Sequence, residues 1–299
     1  MEQRTILTTS KRGLQTDSFP FRLYQKAKKF GIWNPADIDF TQDQEDWKQL
    51  NAEQQNDILR LISQFQAGEE AVTLDLLPLI MTIAKEGRLE EEMFLTTFLF
   101  EEAKHTEFFR LVLNALGETG DLSVHHTETY KTIFYEILPT TMDRLLTDQS
   151  PEAIAEAATV YNMFVEGVLA ETGYYSFYQN LETLGLMPGL LKGIGNLKRD
   201  ESRHIGYGTF LLQRQICEHP HLYEFVEGKM QELTPLAIRL NQEGFRDKDV
   251  STFGNQIEDT MNFTMKQLSV RMEILSRARG KRIEEIYRVS EAEMGVLEV

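Results

Sequence analysis

The chain has 299 residues, 41% hydrophobic and 26% charged, enough apolar material for a large folded domain and too ordinary a balance for a disordered chain. Its 47 acidic residues against 31 basic ones give a formal net charge of -16, which argues against a nucleic-acid role because phosphate binding needs a basic face. One cysteine, Cys217, excludes an internal disulfide framework, and no run reaches the roughly 18 uncharged apolar residues of a membrane span.

The opening MEQRTILTTSKRGLQTD has no apolar signal core, so the expectation is a soluble, cytoplasmic protein without a membrane span. Residues 31–37, Gly-Ile-Trp-Asn-Pro-Ala-Asp, read as an ordered loop. Beyond it helix formers dominate, Gly and Pro gather at a few breaks, and no alternating strand pattern occurs. A long helix is expected from about Ala52 to Lys85, stopped at Gly87 and Arg88. A second runs from about Leu89 to Leu116 and ends at Gly117, and a shorter one covers about 127–146. Pro151 is placed to open a fourth that ends near Gly185, and Pro188 a fifth that stops at His219-Pro220. Two more follow at about 221–243 and 254–277, and the mixed-charge stretch after Gly280 reads as a loose tail. Nothing resembles a linker, so residues 1–299 are read as one all-α domain.

A faint internal repeat carries the chemistry. Glu102-Ala-Lys-His105 and Glu201-Ser-Arg-His204 place a carboxylate and an imidazole at i and i+3, on one helix face. The pattern alone is weak, and a third copy, Glu218-His-Pro-His221, is a decoy because Pro220 breaks the helix that would align it. The spacing adds what the motif lacks: Glu69 lies 33 residues before Glu102, and Glu166 lies 35 before Glu201. Each half therefore reads as a helix with one Glu, a turn, and a helix with the Glu/His pair, which together make a ferritin-like four-helix bundle around a di-metal carboxylate site, with additional helices outside it.

Helical register supports the same residues. Ile58, Ile62, Phe65, Glu69, Val72 and Leu76 share one stripe, whereas Glu70 falls with Ser63, Gln66 and Thr73. Phe98, Glu102, His105, Phe109 and Val112 share another, as do Ile194, Leu197, Glu201, His204 and Leu211. Carboxylates inside apolar stripes are costly unless paired or metal-bound. One such Glu or His is more often a satisfied core residue than a ligand, but six in register with mirrored spacing point to two metals. Glu102 and Glu201 are then the bridging carboxylates, with Glu69 and His105 completing one position and Glu166 and His204 the other. Cys217 is expected to pack as an apolar residue, His125 and His126 to be solvated, and Tyr174-Tyr175 and Phe108-Phe109 to belong to the core.

The segment Trp33-Asn-Pro35-Ala-Asp37-Ile-Asp39-Phe40, followed by Asp43 and Trp47, resembles the start of ribonucleotide reductase small subunits, as does Asp200 immediately before Glu201. That resemblance implies a Trp33–Asp200–His105 network. Within this superfamily, residues 67–75, 101–105 and 158–167 are similar to ligand-binding oxidases that hold a mixed manganese–iron centre, and the likeness covers about residues 20–240. It implies one Mn and one Fe per chain, O2 activation for C–H oxidation, a long-chain fatty acid whose carboxylate reaches the metals, an ether cross-link between Val72 and Tyr161, and a homodimer. The ligand set by itself suits two irons equally well. Departures from reductase subunits are Phe109 where their radical tyrosine stands, and Glu69 where their first ligand is often Asp. The nearest counterpart of their C-terminal relay tyrosine, Tyr287, does not align. The rival readings are a radical-generating reductase subunit and ferritin-like iron storage. The chain length, the Trp33–Asp200 pairing and the Val72–Tyr161 pair count against storage.

Overall fold

Helix boundaries fall where caps and breakers place them. The computed structural model describes residues 6–296, so both extreme ends of the 1–299 reading lie outside the described residues. Short helices α1 (Phe19–Phe30) and α2 (Thr41–Gln49) lead into α3 (Ala52–Lys85) and α4 (Leu89–Leu116). Asn51 caps α3 by accepting from the Glu53 and Gln54 N–H groups while Gln54 returns a bond to Asn51 N–H. Gly117, at φ 79°, ends α4, and the Glu118 N–H reaches back to the Leu113 carbonyl.

A π-helical turn, Thr132–Ile137, joins α5 (Glu128–Lys131) to α6 (Leu138–Arg144). A longer π-helical stretch, Thr159–Ala170, joins α7 (Pro151–Ala158) to α8 (Glu171–Leu181), so that Pro151–Leu181 is one continuous helix. Long and apolar enough to cross a membrane, it has 83% of its apolar window buried inside the protein and serves as a core helix. Then come α9 (Pro188–Glu218), α10 (Leu222–Gly244), α11 (Ile257–Ser276) and α12 (Ile283–Tyr287). No strand occurs among the described residues, only an isolated bridge between Val250 and Gln256. The family-like Asp43 turns out to be a cap in trans: fully buried, it accepts from Gly189 N–H at 2.9 Å and Leu190 N–H at 2.7 Å, while Asp46 takes Met187 N–H at 2.8 Å. Helix α2 thereby holds the first turn of α9.

The helices α3, α4, 151–181 and α9 form a ferritin-like bundle whose interior is two apolar blocks. One contains Val72, Leu76, Phe98, Tyr161, Val168 and Ile205; the other contains Ile62, Phe108, Phe109, Tyr174 and Leu197. Three bundle helices cross from one block to the other at the metal-ligand candidate, Glu69 between Ile62 and Val72, Glu102 between Phe98 and Phe108, and Glu201 between Leu197 and Ile205, while Glu166 lies at the edge of the first block, between Val165 and Val168, with Tyr174 of the second block further along.

Two expectations are corrected. His126 is buried rather than solvated, with Nδ1 2.9 Å from the Tyr135 hydroxyl and Nε2 3.3 Å from the Ser63 carbonyl, because the turn at Ser123–His125 folds it in against α3. The stretch after Gly280 is not loose up to Val296: Ile286, Val289, Met294 and Val296 are buried, and Tyr287 donates to Glu91 at 2.8 Å. The decoy motif is split as its proline requires. Glu218 ends α9 and pairs with Arg88 at 3.2 Å, whereas His221 pairs with Glu152 at 2.9 Å. Cys217 is half-buried against the Lys281 carbonyl, and Tyr174, Phe108 and Phe109 lie in the core while Tyr175 stacks on Phe263 nearer the surface.

Candidate metal centre

Register carries six side chains to the boundary between the two apolar blocks, and all six are buried. Glu69, Glu102, His105 and Glu201 offer ligand atoms within 4.8 Å of one another, and so do Glu102, Glu166, Glu201 and His204. The two groups share Glu102 and Glu201. His105 Nδ1 lies 3.4 Å from Glu69 Oε2, 3.6 Å from Glu102 Oε2 and 3.4 Å from Glu201 Oε1. His204 Nδ1 lies 3.1 Å from Glu102 Oε1, 3.5 Å from Glu201 Oε2 and 4.0 Å from Glu166 Oε1. None of these approaches satisfies the imidazoles. His105 Nδ1, His204 Nδ1, Glu102 Oε2, Glu166 Oε1 and Glu201 Oε2 are buried with no hydrogen-bond partner. Orphaned buried polar atoms are rare and costly, and five that converge on one cavity fit two cations between them.

The opposite nitrogen of each ring is engaged. His105 Nε2 faces Asp200 Oδ2 at 3.3 Å and His204 Nε2 faces Glu101 Oε2 at 2.9 Å. An ionised carboxylate only accepts, so each Nε2 donates, and each Nδ1 faces inward as the nitrogen that a metal would take in place of a proton. Asp200 also accepts from Trp33 Nε1 at 2.7 Å and Lys104 Nζ at 3.0 Å, and Arg203 bonds both Asp200 and Glu101. Gly31 makes room for this network, since a Cβ there would sit 2.0 Å from Glu101 Oε1. The implied Trp33, Asp200 and His105 therefore lie in one hydrogen-bonded chain.

Electrostatics without metal show what the cluster lacks. Burial pushes the Glu69 and Glu166 carboxyls well above the usual range, reinforced by neighbouring carboxylates, although His105 and His204 respectively oppose the shift. Burial acts the same way on Glu102, but the close approach and charge of His105 and His204 outweigh it and hold that carboxyl low. Both imidazoles are raised: burial disfavours their charge, and the surrounding carboxylates prevail. These opposed shifts mark a cluster of buried carboxylates that calls for positive charge, which bound cations would supply.

Val72 and Tyr161 belong to the same apolar block, and the Tyr161 hydroxyl donates to Glu102 Oε1 at 3.3 Å. Asn162 Nδ2 donates to Glu166 Oε2 at 2.9 Å. An open cavity lies beside the cluster. Phe65, Gly68, Val72, Val165, Leu169 and Gly173 line its apolar wall, the four site glutamates line its inner end, and Asn241, Gly244 and Asn255 line it from α10 onward. Sequence reasoning passed over Glu101, Lys104, Arg203 and Asn162. Glu101 had one signal, its place beside Glu102 in a buried helix, but its partners come from α9 and are visible only in three dimensions.

Bundle and site together define a class: four-helix carboxylate proteins built to hold two metal ions between glutamates and a pair of histidines. Within it, the chain belongs to the ribonucleotide reductase small-chain family, whose model, described as "Ribonucleotide reductase, small chain", matches residues 20–274. Solved structures are similar over nearly the whole chain. An R2-like ligand-binding oxidase with aerobically reconstituted Mn/Fe cofactor is 44% identical at a TM-score of 0.85, covering 91% of this chain and 98% of that one. A variant of an R2-like ligand-binding oxidase, also with aerobically reconstituted Mn/Fe cofactor, is 45% identical at a TM-score of 0.82, covering 87% of this chain and 98% of that one. Another variant, with anaerobically reconstituted Mn/Fe cofactor, is 44% identical at a TM-score of 0.86 over 91% of this chain and 98% of that one.

Proposed function

We propose that the chain is an O2-dependent oxidase holding one manganese and one iron, with Glu69 and His105 at one position, Glu166 and His204 at the other, and Glu102 and Glu201 bridging. The observation that carries this reading is the convergence of five unpartnered buried ligand atoms; the likeness to Mn/Fe oxidases at 44–45% identity selects the metals. When bound, the pair supplies O2 activation and the oxidising power to break an unactivated C–H bond. The protein supplies the rest. Asp200 and Glu101 hold the Nε2 protons, Tyr161 holds its phenolic proton against Glu102, and the apolar blocks close the cluster on the sides away from the cavity.

The cavity beside the cluster suits a long-chain fatty acid, its carboxylate toward the metals and its tail along Phe65, Val72, Val165 and Leu169. Val72 stands one turn beyond Glu69 on the same face. An ether between Val72 and Tyr161 removes one hydrogen from the isopropyl group and one from the phenol, a two-electron oxidation with O2 as terminal acceptor. We place the protein in the cytoplasm as a homodimer.

The test is assembly from metal-free protein with both Mn(II) and Fe(II). In air, elemental analysis should find near one of each per chain, and intact mass should fall by two hydrogens, with a linked Val72–Tyr161 peptide pair after digestion. Anaerobic protein and Tyr161→Phe should stay unlinked. Organic extraction should yield a fatty acid. Two irons despite abundant manganese would overturn the mixed-metal reading. Unlinked peptides from fully oxidised protein would return the radical-generating reductase subunit to first place.

A further inference from the structure

Arg271 lies on α11, outside the four helices that carry the ligand candidates, and is only 7% exposed. It forms no ion pair among the described residues. Burial pushes its guanidinium below the usual range, with only the charge of Glu171 opposing. An unpaired buried cation is costly, so its contacts matter. Its Nε donates to the Gly167 carbonyl at 3.3 Å and its Nη2 to Gln267 at 3.2 Å.

Gly167 follows Glu166, near the end of the π-helical stretch. Pairing there runs from each N–H five residues back, and the Glu171 N–H accordingly goes to the Glu166 carbonyl. Where α8 begins, the Glu171 N–H is shared with the Val168 carbonyl, which also accepts from the Thr172 hydroxyl at 2.7 Å. The Glu171 N–H thus passes over the Gly167 carbonyl, and the side chain that meets it is Arg271. Glycine favours the approach, because a Cβ at position 167 would lie 3.0 Å from Arg271 Nε and 3.1 Å from the Asn162 carbonyl, and one of them would have to give way. Glu69 has no such arrangement, since it sits in regular α-helix, nine residues before the one proline of α3, Pro78.

We propose that Arg271 is a positioning residue for Glu166. By satisfying the carbonyl skipped at the π-to-α junction, it fixes the turn that aims Glu166 Oε1 into the cluster, while Asn162 holds the other oxygen. Its influence falls on the Glu166/His204 position and not on the Glu69/His105 position. This inference rests on the two-metal reading above.

The experiment compares the full-length parent, Arg271→Met, which keeps the stem, and Arg271→Lys, which keeps a donor. Manganese and iron are titrated into each metal-free protein, retained metal is counted by elemental analysis, and each ion is located by anomalous diffraction. The Met variant should melt near the parent when metal-free and retain the Glu69/His105 ion as the parent does. Its affinity at Glu166/His204 should fall about 10- to 100-fold, the usual cost of losing an outer partner of a ligand, and the Lys variant should recover most of that. Should Arg271→Met not fold, Arg271→Gln, which keeps a polar side chain too short to reach the Gly167 carbonyl, should show the same one-sided loss. Equal weakening at both positions, or a lower melting temperature with unchanged metal binding, would reduce Arg271 to a general brace. A parent that takes up fewer than two ions overturns the two-metal reading and this inference with it, and does so before any substitution is made.

Discussion

Glu102 and Glu201 reach both imidazoles, whereas Glu69 and Glu166 each reach one. This difference in reach gives a residue-level prediction. Glu102→Ala or Glu201→Ala should disturb both positions and leave little bound metal, while Glu69→Ala or Glu166→Ala should leave about one ion per chain by elemental analysis. An oxygen-reactive pair surviving in either of the first two variants would remove the bridging roles. A second consequence concerns stability. Because burial and like charge push Glu69 and Glu166 up in the metal-free protein, Glu166→Gln should raise the metal-free melting temperature by a few degrees, corresponding to about 1 kcal/mol, while weakening metal binding. The six ligand candidates were legible because helical period and the mirrored spacing act along one chain. Glu101 was not: four residues before His105 it shares that face, but nothing in the sequence sets it apart from any other carboxylate there, and it is Arg203 and His204 on α9 that account for its burial.

At the scale of elements, the long helices were legible from their breakers: Gly87, Gly117, Pro151, Pro188 and the His219-Pro220 pair all stand at or beside the observed ends. The π-helical stretch at Thr159–Ala170 was not, since no local residue demands it and its skipped carbonyl is satisfied from α11. The packed segment after Gly280 was misjudged because its charges dominate the sequence while Ile286, Met294 and Val296 do the anchoring. One element carries a testable cost. Burial, with the charge of Asp143 adding, lifts the Asp75 carboxyl on α3 to about 6. A carboxyl whose folded pKa is raised binds its proton more tightly when folded. The penalty is absent near pH 4, grows between about pH 4 and 6, and is complete above. Asp75→Asn should therefore stabilise the protein at pH 8 by about 1 kcal/mol, allowing for solvent screening, and should not at pH 4. Urea midpoints of both proteins at the two pH values check this, and an equal gain at both would assign the effect to packing instead.

On the scale of the whole molecule, the bundle has an inside that its sequence explains and an outside that it does not. Leu74, Leu77 and Met81 on α3 are 67%, 42% and 55% exposed, and Phe100 on α4 is 58% exposed. The three α3 residues recur at helical spacing on the side opposite Val72, Leu76 and Leu79, which are buried. Leu74 and Phe100 stand at equal distances in sequence on either side of Gly87, so the antiparallel packing of α3 on α4 brings them to one level. Large apolar residues gathered on a surface mark an interaction face, and the proposed homodimer supplies an occupant in a second copy of this face. Light scattering should give about twice the 34.6 kDa chain mass. The double variant Leu74→Glu with Phe100→Glu should run as a monomer that still binds two metals per chain, since neither residue belongs to the buried cluster. A multi-subunit shell would favour the storage reading, and a monomeric parent would remove the dimer. A double variant that stays dimeric would move the interface to another face.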